Sequence, residues 1–108
     1  MAEVVEINDG NFDEKVMKAG KVVLVDFAAS WCPPCKIMEP IIKAVAASVG
    51  DKAVVGHLDV DESRKTSAKY GVLSVPTMIF FKNGKEEARL VGVNQKENVI
   101  AKIEALSK

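Results

Sequence analysis

Hydrophobic and polar positions in this chain alternate between short apolar runs and segments of helical periodicity. Residues 22–28 form a near-continuous, β-branched apolar run interrupted by Asp26, which is typical of a strand buried on both faces. The dipeptide Asn83-Gly84 separates two further runs and favours a tight hairpin turn. The strands predicted in this way cover residues 4–7, 22–28, 54–60, 77–81 and 87–91.

Helices are predicted between these strands and after the last one. Asn11 and Glu14 have the spacing of a capping box, which predicts the start of a first helix. A longer helix is predicted over residues 35–49, and Pro40 should kink it. Two more helices are predicted over residues 62–70 and 96–108, and the predicted helix stops are Gly20, Gly50 and Gly71.

The resulting order of elements is β-α-β-α-β-α-β-β-α. Alternating strands and helices predict parallel pairing through right-handed crossovers, and the closing hairpin predicts antiparallel pairing. We therefore expect an α/β fold with a mixed central sheet and helices on both faces. The length of 108 residues predicts a single domain over residues 1–108.

The charge balance argues against some classes of partner. The 15 Lys and Arg residues match the 15 Asp and Glu residues, and no basic stretch stands out. We therefore expect no binding to nucleic acid and no membrane association. The first residues lack the features of a signal peptide, and no apolar run is long enough to span a bilayer, so we expect a cytoplasmic protein.

The two cysteines carry the clearest chemical signal. Cys32 and Cys35 lie three positions apart, so a disulfide between them would close a loop too short to restrain the unfolded chain much. They fall where a predicted buried strand ends and a predicted helix begins, which favours a thiolate at Cys32. We expect this thiolate to attack a substrate disulfide, after which Cys35 would attack Cys32 and release the reduced substrate.

Asp26 is the candidate proton acceptor for Cys35. It interrupts an apolar run, where a carboxylate is costly unless it is used or paired. Burial should raise its pKa and suit it to proton exchange near neutral pH. A solvent-facing aspartate or a structural hydrogen-bonding group remains the alternative.

A metal-binding module is the alternative function. Cys32, Cys35 and the single histidine, His57, give at most three ligands, whereas a closed zinc site needs four. Metal binding would therefore need a dimer that holds zinc or an iron–sulfur cluster through the cysteines of both chains. We expect no metal site within one chain.

A set of short motifs extends along nearly the whole chain. The motifs are Val25-Asp26-Phe27, Trp31-Cys32-Pro33-Pro34-Cys35-Lys36, Pro40, Asp59-Val60-Asp61, Val75-Pro76-Thr77, Gly84 and Gly92. In this order and at these spacings, they make the chain resemble the thioredoxin family. The resemblance implies a thioredoxin-like three-layer fold and a thiol–disulfide oxidoreductase that reduces protein disulfides.

The resemblance also implies roles for the residues of the cysteine motif. Cys32 would be the exposed nucleophile, Cys35 the resolving thiol and Asp26 the buried acid–base group. Trp31 would shield the site and touch the substrate, although composition alone fits a core residue equally well. Lys36 is interpreted as a solvated charge in the first helical turn.

A docking surface for substrate is implied as well. Pro76 would follow a cis peptide bond and expose the backbone of Val75 for strand-like pairing with a substrate peptide. An ordinary trans turn is the alternative from sequence alone. Gly92 would keep this surface flat, with a bulge or strand-end glycine as the alternative.

Three positions depart from the family pattern. Pro33 replaces the usual glycine between the cysteines, and together with Pro34 it predicts a helix start at Pro34. Ala28 replaces a usual tryptophan, which predicts a smaller apolar wall. His57 replaces a usual lysine, and we expect Asp26 and His57 to titrate as a coupled pair. A partly exposed histidine without a partner is the alternative.

The resemblance finally implies the partners. These would be disulfide-containing substrate proteins and a separate flavoprotein of the thioredoxin reductase type that supplies electrons from NADPH. The chain has no G-x-G-x-x-G motif, so we expect it to bind no nucleotide. With the redox-active disulfide as the electron carrier, we expect no bound cofactor. No long exposed apolar helix is predicted, and we expect a monomer.

Overall fold

The computed structural model describes residues 3–108, and its strands and helices follow the predicted order closely. The strands are β1 (Val5–Ile7), β2 (Val22–Ala28), β3 (Ala53–Asp59), β4 (Thr77–Lys82) and β5 (Lys85–Val91). The α-helices are α1 (Pro33–Val49), α2 (Arg64–Lys69) and α3 (Lys96–Leu106). A π-helical segment (Asp13–Met17) precedes β2, and a 3-10 turn (Gly50–Lys52) follows α1.

The five strands form one mixed sheet in the order β1-β3-β2-β4-β5. β1 and β2 pair with β3 in parallel, whereas β4 is antiparallel to both β2 and β5. This confirms the predicted α/β fold with parallel crossovers and a closing hairpin. Asn83 and Gly84 at the hairpin turn have positive φ angles of 53° and 77°, as the predicted tight turn requires.

Each face of the sheet contributes to a separate apolar core, because side chains of a strand point alternately to opposite faces. In β2, Leu24 joins the cluster that α1 and α3 cover, whereas Val23 and Phe27 join the opposite cluster with Phe12 of the N-terminal segment. Asp26 therefore falls on the face of α1 and α3. The central position of β2 explains why its whole length is buried.

The start of α1 places the cysteines. Cys32 has an extended backbone and is the N-cap, and the helix begins at Pro33, one position before the predicted start at Pro34. Proline is tolerated at the first helical positions because their N–H groups have no intrahelical partner. The helix continues through Pro40 and ends at Val49, and its C-cap, Gly50, has a φ of 56°, which agrees with the predicted stop.

The predicted capping box is wrong. The π-helical segment has Phe12 as its N-cap and no side-chain cap. The side chain of Asn11 instead accepts a hydrogen bond from the N–H of Asn8 and donates one to the carbonyl of Glu6. Asn11 is therefore committed to the turn that follows β1, which makes it unavailable to the helix.

Candidate active site

Cys32 and Cys35 lie at the junction of β2 and α1 and form a disulfide. The backbone N–H of Cys35 donates a hydrogen bond to Cys32 Sγ, with 3.2 Å between nitrogen and sulfur. This amide belongs to the first turn of α1, where the helix dipole is positive. A helix start of this kind favours negative charge on a cysteine sulfur.

The expected exposure of Cys32 is wrong for the residue as a whole, because only 3% of its surface is accessible. Ala28 and Ala29 pack with the two cysteines, and Val75 lies against this cluster. Cys32 instead lines the floor of an apolar groove of about 390 Å³. A substrate must therefore enter the groove to reach the sulfur.

The groove is bounded by an exposed aromatic side chain and an exposed loop. Trp31 is exposed, which excludes the core position that composition allowed, and its Nε1 donates a 2.8 Å hydrogen bond to Asp61 Oδ2. Leu73 is 97% exposed and lines the groove from the opposite loop. Lys36 is exposed at the helix start, as predicted.

The loop that precedes β4 brings main-chain groups to the disulfide. The Val75–Pro76 peptide bond is cis, which excludes the trans alternative. The carbonyl oxygen of Val75 lies 3.6 Å from Cys32 Sγ. Gly92 donates its N–H to the carbonyl of Pro76 at 2.8 Å and has a φ of 86°, a conformation that favours glycine.

Asp26 is buried in the sheet behind the cysteines. Only 1% of its surface is accessible, so the solvent-facing alternative is excluded. Its Oδ1 has no hydrogen-bond partner among the described residues, which argues against a structural hydrogen-bonding role. Burial raises the pKa of Asp26 to about 6, with a further upward contribution from the negative charge of Glu39 and a downward one from His57.

A cavity of about 320 Å³ lies between Asp26 and Cys35. Asp26, Cys35, Glu39 and His57 all line it. We call it the cysteine-side cavity. Its lining is mostly apolar, but its volume exceeds that of one water molecule and the carboxyl groups in its wall can bind one, so it has room for proton exchange between the carboxyl group of Asp26 and the sulfur of Cys35.

His57 lies beside Asp26 in the sheet, since the two residues are register partners of β3 and β2. Its Nδ1 lies 3.2 Å from both carboxylate oxygens of Glu6 in β1. The histidine is half-buried but has a partner, so the alternative of a histidine without one is excluded. The coupled titration of Asp26 and His57 stays a prediction, and the structure adds Glu6 to the pair.

No set of three His, Cys, Asp or Glu residues within residues 3–108 is arranged to hold a metal ion. The two candidate sulfur ligands are bonded to each other, and His57 is engaged by Glu6. The donors therefore do not converge on one point. A dimeric zinc or iron–sulfur module is not favoured.

Comparison with known proteins tests the resemblance directly. The family model described as Thioredoxin matches residues 3–105. The chain belongs to the thioredoxin family. Thioredoxins from Staphylococcus aureus strains Mu50, MW2 and N315 are each 46% identical to it over 96 residues, which is 89% of this chain and 90% of each relative.

Membership in the thioredoxin family identifies the activity. The chain is a protein-disulfide oxidoreductase, and its disulfide of Cys32 and Cys35 is the redox group. Thioredoxins need no bound cofactor, because the two sulfurs themselves carry the electrons. Disulfide-containing proteins are their substrates.

Four residues near the thioredoxin site were not identified as functional from the sequence. They are Glu6, Glu39, Asp61 and Leu73. The alternation of β1 gave a signal for Glu6, since it lies between two apolar residues that face the opposite way. Leu73 offered a weaker signal, as an apolar residue in a loop shortly before Pro76.

Proposed function

We propose that this chain reduces disulfide bonds of other proteins with the electrons of its Cys32–Cys35 couple. The observation that carries the proposal is the disulfide at the start of α1 on the floor of an apolar groove. The Val75 carbonyl beside Cys32 Sγ is a main-chain acceptor that an extended substrate segment can pair with. The disulfide supplies the reactive group, and the groove with the Val75 carbonyl supplies the surface along which a substrate reaches it.

The proposed reaction has two steps. The thiolate of Cys32 attacks one sulfur of the substrate disulfide, so that a mixed disulfide forms and the other substrate sulfur leaves as a thiolate. Cys35 then loses its proton to Asp26 and attacks Cys32 Sγ, which releases the second substrate sulfur. A carboxyl group with a pKa of about 6 is ionised at neutral pH and can accept this proton.

We assign substrate docking to Trp31, Val75, Pro76 and Gly92. Trp31 offers an exposed apolar face beside the sulfur. The hydrogen bond from Gly92 to the carbonyl of Pro76 fixes the loop that presents Val75. A polypeptide with exposed apolar side chains therefore fits the groove better than a small charged thiol.

Four further residues are proposed to tune the couple. Pro33 and Pro34 occupy the first helical positions and hold the backbone between the two sulfurs. Lys36 places a positive charge near the start of α1 and favours the thiolate. His57 places a titratable group beside Asp26.

Substitution of each cysteine tests the proposal. With dithiothreitol as the electron source, the wild-type chain should reduce insulin and separate its chains. Cys32→Ser should abolish the reaction, whereas Cys35→Ser should accumulate a mixed disulfide with the substrate that mass spectrometry detects. Full activity in Cys32→Ser would falsify the proposal.

The direction of electron flow is tested by the reduction potential. Trp31 is the only tryptophan, and it adjoins Cys32, so its fluorescence should follow the redox state in glutathione or dithiothreitol buffers. A potential near about −270 mV supports a reductant, whereas one near about −180 mV indicates an oxidase or isomerase instead.

The proposed cellular role is that of a monomer in the cytoplasm that is recharged from NADPH by a separate flavoprotein reductase. No helix within residues 3–108 is both long and apolar enough to cross a membrane. Oxidation of NADPH by a purified thioredoxin reductase in the presence of this chain tests the electron source. Analytical ultracentrifugation tests the monomer, and cell fractionation tests the location.

A further inference from the structure

Three ionisable side chains form a row across the sheet. Glu6 of β1 is the register partner of His57 of β3, and His57 is the register partner of Asp26 of β2. Register partners in parallel strands project from the same face, which here is the face covered by α1. The neighbouring positions on this face, such as Leu24 and Val55, belong to the apolar core.

Glu6 holds the ring of His57 in a defined orientation. Both carboxylate oxygens lie 3.2 Å from Nδ1, so a proton on Nδ1 is donated to Glu6. A carboxylate partner of this kind selects the tautomer in which the other ring nitrogen, Nε2, accepts a proton. The side chains of His57 and Glu6 are 34% and 65% exposed, so this end of the row reaches water.

Asp26 forms the buried end of the row. Besides the cysteine-side cavity, Asp26 and His57 line a second cavity of about 310 Å³ that is also lined by Glu6. We call it the Glu6-side cavity. Asp26 and His57 therefore lie between a cavity that reaches Cys35 and a cavity that reaches Glu6.

We propose that His57 and Glu6 form a proton relay that connects Asp26 with solvent during each redox cycle. His57 carries the proton, and Glu6 is the positioning residue that keeps the ring in the accepting tautomer. The inference rests on the proposed function, because the relay has a task only if Asp26 accepts the proton of Cys35.

The relay fits the resolving step with every atom accounted for. The proton of the Cys35 thiol moves to the Asp26 carboxylate, the bond between Cys35 and Cys32 forms, and the bond from Cys32 to the substrate sulfur breaks. The electron pair of that bond leaves with the substrate thiolate. Asp26 then passes its proton to Nε2 of His57, and the imidazolium releases a proton to water on the side of Glu6.

Other charged groups also face these cavities. Glu39 and Lys43 of α1 line the Glu6-side cavity and pair with each other at 3.6 Å. Lys36 of α1 and Asp59 of β3 line the cysteine-side cavity. Among these groups Glu39 offers a competing route by which the proton of Asp26 can reach solvent, because it is an exposed carboxylate beside Asp26. The experiment must therefore distinguish proton release past Glu39 from proton release past Glu6.

Stopped-flow kinetics test the relay. Reduced protein is mixed with excess insulin in weak buffer from about pH 5 to about pH 9, and Trp31 fluorescence follows closure of the Cys32–Cys35 disulfide. His57→Gln should slow closure about tenfold near neutral pH, less than the roughly hundredfold loss of a direct acid–base group. Glu6→Gln should slow it about threefold and should redistribute the His57 tautomers seen by nitrogen NMR.

Chemical rescue distinguishes a relay from a structural role. Added imidazole should restore closure in His57→Ala, because the vacated cavity gives a small base access to Asp26. Glu86→Gln is the matched control, because it breaks an ion pair with Arg89 in β5, at the opposite edge of the sheet. The disulfide of this variant should close at the wild-type rate.

Three results would overturn the relay. The first is disulfide closure at the wild-type rate in both His57→Gln and Glu6→Gln. The second is slow closure in His57→Ala that imidazole does not restore. The third is slower closure in Glu39→Gln alone. Each leaves disulfide reduction by the wild-type chain intact. If the wild-type chain itself does not reduce insulin, the proposed function fails instead.

Discussion

Asp26 occupies an environment that opposes its ionised form. Its pKa is raised from 3.8 to about 6 chiefly by burial, so between these values the folded chain binds more protons than the unfolded chain. The free energy of unfolding therefore decreases as pH rises through this window and levels off above about pH 6. The ionised carboxylate costs the folded state about 3 kcal/mol at neutral pH.

Replacement of Asp26 by leucine, which has the same branched shape but no ionisable group, should remove this dependence. The stability difference between Asp26→Leu and the wild-type chain should grow by about 2.5 kcal/mol in favour of the variant between about pH 4 and pH 8. Guanidinium unfolding of the oxidised proteins measures it. Asp51→Asn, at an exposed aspartate, should parallel the wild-type curve. A constant difference for Asp26→Leu would contradict the buried charge.

The neighbours of Asp26 should act on its pKa in opposite directions. His57→Gln removes a positive charge and should raise the pKa of Asp26 above about 6, whereas Glu39→Gln removes a negative charge and should lower it. Carbon-13 NMR titration of the Asp26 carboxyl group measures both shifts. Shifts of the same sign would show that packing, rather than charge, sets the pKa.

At the scale of elements, the sequence predicted best where one physical cause decides the structure. The apolar run of β2 and the turn at Asn83-Gly84 appear where predicted, because burial and positive φ leave little choice. The capping box failed because the side chain of Asn11 had a second set of backbone partners in the turn after β1. Local spacing contains no information about such competition.

Two glycines illustrate different constraints on the elements that frame the site. A Cβ atom on Gly56 in β3 would lie 2.6 Å from Cγ1 of the buried Ile7 in β1. A Cβ atom on Gly92 would meet nothing within 4 Å, but its φ of 86° is unfavourable for other residues. Gly56 is therefore required by space and Gly92 by backbone conformation.

Substitutions at these glycines should separate the two causes. Gly56→Ala should cost about 1–3 kcal/mol of unfolding free energy through overpacking, and Gly56→Asn should cost more. Gly92→Ala should cost about 1–2 kcal/mol, and Gly92→Asn should cost less, because asparagine tolerates positive φ better. Chemical unfolding of the four variants provides the comparison. Equal costs for alanine and asparagine at Gly92 would contradict the conformational argument.

At the scale of the whole molecule, the sequence predicts a site at the cysteine pair and Asp26, but it does not predict their surroundings. The exposure of Trp31, the hydrogen bond between His57 and Glu6, and the loop that carries Leu73 all depend on residues far apart in sequence. The register of the sheet brings such residues together. No local pattern specifies the pairing of β1 with β3.

The groove above Cys32 should select substrates by apolar contact. The chain has no net charge, so long-range attraction contributes little to substrate capture. Leu73 is the groove's most exposed large apolar side chain. Burial of a leucine against substrate contributes about 1.5–3 kcal/mol, so Leu73→Asp should lower kcat/KM for a protein disulfide at least about tenfold.

The comparison of large and small substrates makes this last prediction specific. A disulfide as small as oxidised dithiothreitol reaches Cys32 without covering the loop, so Leu73→Asp should leave its rate unchanged. Ile37→Asp is the matched control, because Ile37 is an exposed apolar residue of α1 outside the groove lining. An equal loss for large and small substrates would mean that Leu73 acts on the cysteines themselves. An equal loss in Ile37→Asp would mean that general surface apolarity, rather than the groove, captures the substrate.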